Sequence, residues 1–370
     1  MKEVNDPRIE RMARVLVQYS LNIQPGERLG IRSGLLATPL LQALTRETLR
    51  AGGHPEVFVQ PSSIQAILLR EGSDEQIARV PAGWHLAATE FEALLDIQAQ
   101  DDSKYFSPID PRRASIQSRA QGEILRIIIQ RSIQNTLRRT ITLFPTPAHA
   151  QATNLPLNEF EDLFYRACFL EKEDPVSCWH QLSQQQEHYI SWLKGKRSIH
   201  LTGQDTDLTF SIENRLFLNE DGRYNFPGGE IFTGPVENST TGSILYNLPT
   251  IYNEQELQQV WLRFIEGRVV EAHAHKGQEF LDRMLDLDDG ARRLGEFAFG
   301  NNPFVYNYTG NILLDEKMEK TVHFALGASI PATLGTNQSS LHWDMVYDLK
   351  SGSEIYIDGE LYCKNGVFTI

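Results

Sequence analysis

Apolar residues in the first half of the chain alternate between helical and extended spacing. Ile9, Met12, Val15, Leu16 and Tyr19 fall on one face of a helix that Asp6 caps, Pro7 opens and Pro25-Gly26 ends. A strand is predicted at Arg28 to Ser33. A helix opened by Thr38-Pro39 follows, with Leu40, Leu41 and Leu44 inward; Gly52-Gly53 closes it before a strand at Glu56 to Gln60. This is a βαβ unit. Further strands are expected near Leu86 to Thr89, Leu94 to Gln98 and Thr140 to Leu143, with a helix from Ser115 to Gln134. Such alternation predicts an α/β N-terminal domain built on a mostly parallel sheet.

A long amphipathic helical region from Leu157 to Leu193 leads into the polar hinge Lys194-Gly195-Lys196-Arg197, after which the texture changes to short strands and turns. Ser198 to Thr202, Asp207 to Ile212, Ile244 to Leu248, Val260 to Phe264 and Val269 to Ala274 have strand character. The tail carries two turn signals, Asp358-Gly359 and Asn365-Gly366, between β-rich runs. The chain is therefore divided into an α/β domain, residues 1–193, and an α+β metal-binding domain, residues 194–370.

Composition narrows the function classes. With 370 residues, 41% of them apolar and 22% charged, both domains can build cores. The net charge of −13 argues against a general nucleic-acid or anionic-membrane binder. Residues 1–25 are charged and amphipathic without a signal-type apolar core, and no run approaches the ~18 apolar residues of a membrane span. A cytoplasmic protein is expected. Cys168, Cys178 and Cys363 lack a metal-binding spacing, and Gly26, Gly30 and Gly34 do not form the strand-to-helix fingerprint of a dinucleotide site.

Candidate chemistry lies in the last third, in Glu230, Glu296, Glu316, His323, His342 and Asp344. Oxygen and imidazole donors in that proportion suit one or two divalent Zn, Co or Mn ions and a hydrolytic water. On a strand, His342 and Asp344 share one face while Trp343 points to the other. Each residue also has an ordinary reading. His323 sits in an apolar strand, Thr321 to Gly327, where histidines are more often satisfied core residues. Glu230 follows the turn Phe226-Pro227-Gly228-Gly229, where a carboxylate is usually solvated. Glu296 comes after Gly295, the expected C-cap of a helix through Ala291 to Leu294. Glu316 beside Lys317 reads most simply as a surface ion pair. A rival pair, His273 and His275, ends a polar strand and is better explained by a solvent-facing edge.

Five ordered segments tie these residues together: Phe226 to Glu237, Gly290 to Glu296, Asn311 to Lys317, His323 to Gly327 and Asn337 to Met345. With Leu143 to Gln151 and Phe164 to Cys168, they resemble the thermophilic metallo-aminopeptidase family of the aminopeptidase T and aminopeptidase S type over nearly the whole chain. The resemblance implies an exopeptidase that removes amino-terminal residues from peptides, with two co-catalytic divalent ions and usually a homodimer. By matching positions, it makes Glu230, Glu296, His323, His342 and Asp344 metal ligands and Glu316 a further acid at the metals. Glu296 is the candidate proton acceptor.

The sequence departs from that family at two positions. Ile330 stands where the family typically has a tyrosine suited to donate a hydrogen bond to a developing oxyanion, leaving Tyr306 or Tyr308 as alternative donors. Gly310 stands where relatives often carry a basic residue. Two other function classes stay open: a mononuclear iron dioxygenase of hydroxylated pyridine rings, using His323, His342 and Asp344, and a metal-binding relative without turnover.

Overall fold

The computed structural model describes residues 6–101, 105–106, 109–253, 255–350 and 352–369. The expectation for residues 1–25 falls partly on residues 1–5, outside that range. The chain divides into two compact units, Met1–Trp179 with Gly222–Pro227, and His180–Asp221 with Gly228–Ile370. The expected break after residue 193 coincides with the end of the helix Pro175–Leu193, and the division into units falls inside that helix.

The first unit holds β1 (Arg28–Ser33), β2 (His54–Val59), β3 (Ala93–Gln98) and β4 (Arg138–Leu143) in a parallel sheet of order β2-β1-β3-β4, extended beyond β4 by Asn225–Phe226. Its helices are α1 (Pro7–Val15), α2 (Thr38–Arg50), α3 (Ser62–Glu71), α4 (Asp74–Ile77), α5 (Ala82–Glu90) and α6 (Pro111–Ile133), followed by Pro147–Ala152, Leu157–Ala167 and the start of Pro175–Leu193, which from His180 on belongs to the second unit. Asp6 caps α1 as expected, accepting from the Arg8 N–H at 2.9 Å. The strand expected at Leu86 to Thr89 is instead part of α5. Trp84, Ala87 and Ala88 are buried at i, i+3 and i+4, a helical stripe that packs on Leu94, Ile124 and Ile128.

The second unit is antiparallel. An eight-stranded sheet runs from its edge strand Arg268–His273 to Val367–Phe368. It shares a core with a five-stranded sheet of order His342–Asp348, Thr321–Gly327, Leu294–Gly300, Glu230–Thr233, Leu218–Glu220. Phe210 from the first sheet meets Phe297 and Phe324 of the second at 5.0 and 5.7 Å between ring centroids. The helix expected at Ala291 to Leu294 is absent; those residues turn, and the strand already begins at Leu294. Both tail turns form as predicted, with Asp358, Gly359, Asn365 and Gly366 at positive φ. Cys168, Cys178 and Cys363 are free thiols.

Candidate metal centre

The pairing register of the five-stranded sheet puts the candidate ligands on one face. Glu296 lies opposite Ala325, and Ala325 opposite Asp344; Ala298 lies opposite His323; Gly300 lies opposite Glu230; Gly327 lies opposite His342. Residues two apart on a strand share a face, so Glu230, Glu296, His323, His342 and Asp344 all project to the same side. Between them on that face stand Ala298, Gly300, Ala325 and Gly327, whose small size leaves the polar groups room to converge. The alternate positions, Phe297, Phe299, Phe324, Leu326, Trp343 and Met345, fill the core on the other face.

One irregularity aims Glu296. The register slips between Leu294 and Glu296 at Gly295, a β-bulge. A Cβ on Gly295 would lie 2.3 Å from the Ala328 carbonyl oxygen and 2.4 Å from that of Gly327, so only glycine fits. Glu316 reaches the cluster from outside the sheet. It ends the short helix Ile312–Asp315, which Asn311 caps through the Leu313 N–H at 3.1 Å.

The donor atoms sit close together. His323 Nε2 lies 3.7 Å from Glu230, 3.6 Å from Glu296 and 3.9 Å from Asp344. His342 Nε2 lies 3.4 Å from Glu296 and 3.6 Å from Asp344. Two donors each about 2.1 Å from one ion at a tetrahedral angle lie about 3.4 Å apart, the spacing these pairs approach. Three trios have ligand atoms within 4.8 Å of one another: Glu230, Glu296 and His323; Glu296, His342 and Asp344; Glu316, His323 and Asp344. Both ring nitrogens of His323, Glu230 Oε2 and Asp344 Oδ1 are buried without hydrogen-bond partners. Leaving such atoms unsatisfied is costly, and cations held between them would satisfy Glu230 Oε2, Asp344 Oδ1 and His323 Nε2, the ring nitrogen that faces the acids. His342 Nδ1 lies 2.9 Å from the Ala328 carbonyl oxygen; donating a proton there leaves Nε2 free as a ligand.

Electrostatics strain the bare cluster. Burial disfavours the charge on His323, yet Glu296, Glu230 and Asp344 outweigh it and raise its pKa to about 9. His342 rises to about 10 for the same reason, against burial and through Asp344 and Glu296. Burial acts against ionised Glu296, but the two imidazoles hold its pKa at about 2. Glu230, Glu316 and Asp344 are pushed up, chiefly by burial.

Lys317 is the residue that sequence reasoning missed. Instead of sitting at the surface, its side chain is 0% exposed and its Nζ donates to Glu230 and Glu316, each at 2.6 Å. The only local signal was its apolar setting, between Leu313-Leu314 and Met318. When the imidazoles take the neutral form a ligand needs, the four carboxylates of the trios against this one ammonium leave three negative charges, which divalent cations would offset. The rival histidines do not contribute: His273 stacks on Trp261, with ring centroids 5.7 Å apart, and neither His273 nor His275 joins a metal-compatible group among the described residues.

The model of the thermophilic metalloprotease family M29 matches residues 5–362. The chain belongs to that family. Among curated proteins this M29 metalloprotease is 26% identical to aminopeptidase T of Thermus aquaticus, covering 95% of this chain and 94% of the relative. It is 24% identical to aminopeptidase 2 of Geobacillus stearothermophilus, covering 95% and 93%. The solved structure of wild-type AmpT from Thermus thermophilus superimposes with a TM-score of 0.85 at 22% identity, covering 98% of this chain and 99% of that one, so the two share a fold. The M29 chain departs from the expected pattern at Ile330, which has no side-chain donor and precedes the short helical turn Pro331–Thr333. Gly310 uses its N–H to bind Asp315 at 2.8 Å and lines a small hollow with Tyr308, Asp315 and Asp344. Tyr306 is exposed.

Proposed function

We propose that this metalloprotease is an aminopeptidase that hydrolyses N-terminal residues from peptides with two divalent ions, Zn, Co or Mn, in the 194–370 region. Glu230, Glu296 and His323 would hold one ion; Glu296, His342 and Asp344 would hold the other; Glu316 would serve as a further acid ligand. The observation that carries this reading is the overlap of these trios at Glu296 around buried, partnerless donor atoms. Cations held by these residues would supply Lewis acidity to polarise a scissile carbonyl and acidify a water.

The chain's own groups do the rest. Lys317 works against the burial that raises both acids, favouring ionised Glu230 and Glu316, and fixes their carboxylates in place as ligands. The Ala328 carbonyl orients His342. Glu296, or a neighbouring ligand carboxylate, is the candidate proton acceptor for the attacking water. Tyr308 takes over the oxyanion-donor role that Ile330 cannot fill: it lines a small hollow that Asp344 also lines, and burial and then Asp315 push its ionisation up, keeping the O–H protonated. The same reading makes the enzyme a cytoplasmic homodimer; sedimentation velocity tests the dimer, and cell fractionation tests the location.

Release of an amino acid from a panel of aminoacyl chromogenic amides tests the proposal. Chelator-sensitive turnover that Zn, Co or Mn restores supports it. Bound iron with oxygen uptake on dihydroxypyridines, and no amide hydrolysis, overturns it.

A further inference from the structure

The first unit contains a cavity of about 540 Å³ that takes no part in the metal chemistry. Pockets of this size ordinarily hold small-molecule ligands. The position follows from the sheet order. From β1 the chain passes through α2 to β2 on one side, and from β2 through α3, α4 and α5 to β3 on the other side of β1. The winding therefore reverses between β1 and β3. In open parallel sheets the crevice at the carboxyl ends of the strands flanking such a reversal is where ligands bind. Arg32 near the carboxyl end of β1 and Asp96 in β3 line the cavity, together with Arg139, which reaches it from the amino-terminal end of β4.

Of the charged lining residues, Arg79 is exposed to solvent, and the remaining floor of Arg32, Arg139 and Asp96 carries one positive charge in excess. Arg32 is ion-paired with Asp96 and lies 4.4 Å over the ring of Trp84. Arg139 has no such partner: among the described residues it makes no ion pair, and its Nε is buried without a hydrogen bond. Burial disfavours its charge, Asp96 partly offsets this, and Arg32 adds to the cost. A second hollow of about 400 Å³ opens onto the same Arg32, Asp96 and Arg139 floor. The walls of the larger cavity are apolar, with Ile64, Leu68, Leu125 and Ile128 among them. Gly122, in the middle of α6, lines the cavity at an exposed position where a Cβ would meet nothing within 4 Å, so a larger side chain is accommodated there.

From this geometry we infer that the first unit binds a small monocarboxylate with an apolar body, its carboxylate paired with Arg139 and its tail between α3 and α6. One unpaired guanidinium away from solvent, Arg139, matches one negative charge, and mostly apolar walls disfavour a polyanion such as phosphate. A zwitterionic amino acid fits less well, because Asp96 is already engaged by Arg32 and no free carboxylate remains for an ammonium group. The inference stands independently of the peptidase assignment.

Calorimetric titration of the full metal-loaded chain with 3-phenylpropionate tests it, with 3-phenylpropanamide, phenylalanine and inorganic phosphate as comparison ligands. The expected result is one site of Kd below about 1 mM, with the three comparison ligands at least about tenfold weaker. Arg139→Met removes the charge, and Gly122→Leu fills the cavity while favouring the helix. Both should abolish the binding heat, and thermal unfolding monitors whether each variant is folded. His342→Ala, altered at the metal centre, should bind 3-phenylpropionate like the wild type, which separates this site from carboxylate binding at the metals. The inference is overturned if wild-type protein gives no saturable heat, if the amide binds as well as the acid, or if binding survives in folded Arg139→Met and Gly122→Leu.

Discussion

Lys317 shows how much one side chain decides here. It is fully buried between Glu230 and Glu316, and removing one partner of a buried ion pair typically costs about 3–5 kcal/mol. Lys317→Met should therefore lower the denaturant midpoint by a corresponding amount; an unchanged midpoint would show that the pairing is energetically idle. Tyr308→Phe keeps the ring and loses the donor, so kcat on an aminoacyl amide should fall on the order of a hundredfold with KM little changed. Equal kcat in the two proteins would remove Tyr308 from the mechanism. Residue types were legible in the sequence: all six predicted ligands lie in the metal-compatible trios. Their environments were not. Glu316-Lys317 has the same local sequence as a solvated ion pair, and only packing of the short helix Ile312–Asp315 and its flanks distinguishes the two.

At the scale of elements, the site is the small-residue face of an antiparallel sheet, held in register by a bulge and by two carboxylate clamps on the loop before His342. Asp288 accepts from Ser340 N–H and Ser339 Oγ at 2.7 Å and from Ala291 N–H at 3.0 Å; Glu237 accepts from Thr336 N–H at 2.6 Å. Burial opposes ionisation of both acids, but these donors prevail and hold them below the usual carboxylate range. Acids that bind protons more weakly when folded stabilise the protein above their unfolded pKa of about 4, and this contribution fades as pH falls through the lower folded value. Asp288→Asn should therefore cost about 1 kcal/mol at pH 7, with the difference from wild type closing below about pH 4; a constant difference across that range would contradict the clamp. Gly295→Ala, which drives a Cβ into two carbonyl oxygens, should lower metal content and hydrolysis together. A Gly295→Ala protein with full metal and activity would show that the bulge does not aim Glu296. Strand periodicity recovered Thr321–Gly327 with its observed bounds, because every one of its residues is buried and glycine ends it. It failed at α5, where Leu86-Ala87-Ala88-Thr89 looks extended in isolation and the buried helical stripe begins only with Trp84.

Across the whole molecule, the family and the α/β-then-antiparallel order were readable from sequence because the motifs span nearly the full chain. The division of the chain inside the helix Pro175–Leu193, and the excursion of Gly222–Pro227 back to the first unit, were not. Short paired segments such as Asn225–Phe226 owe their strand character to a distant partner, β4, and carry no periodicity of their own. The excess negative charge of the ligand cluster is also a property of the assembled fold. It implies that metal binding stabilises the native state, so a chelator should lower the melting temperature as well as abolish hydrolysis. The most direct test is elemental analysis of the purified protein combined with anomalous diffraction from its crystals. Two divalent ions per chain are predicted, one within Glu230, Glu296 and His323 and the other within Glu296, His342 and Asp344. A single ion, none, or ions bound away from these side chains would contradict the account.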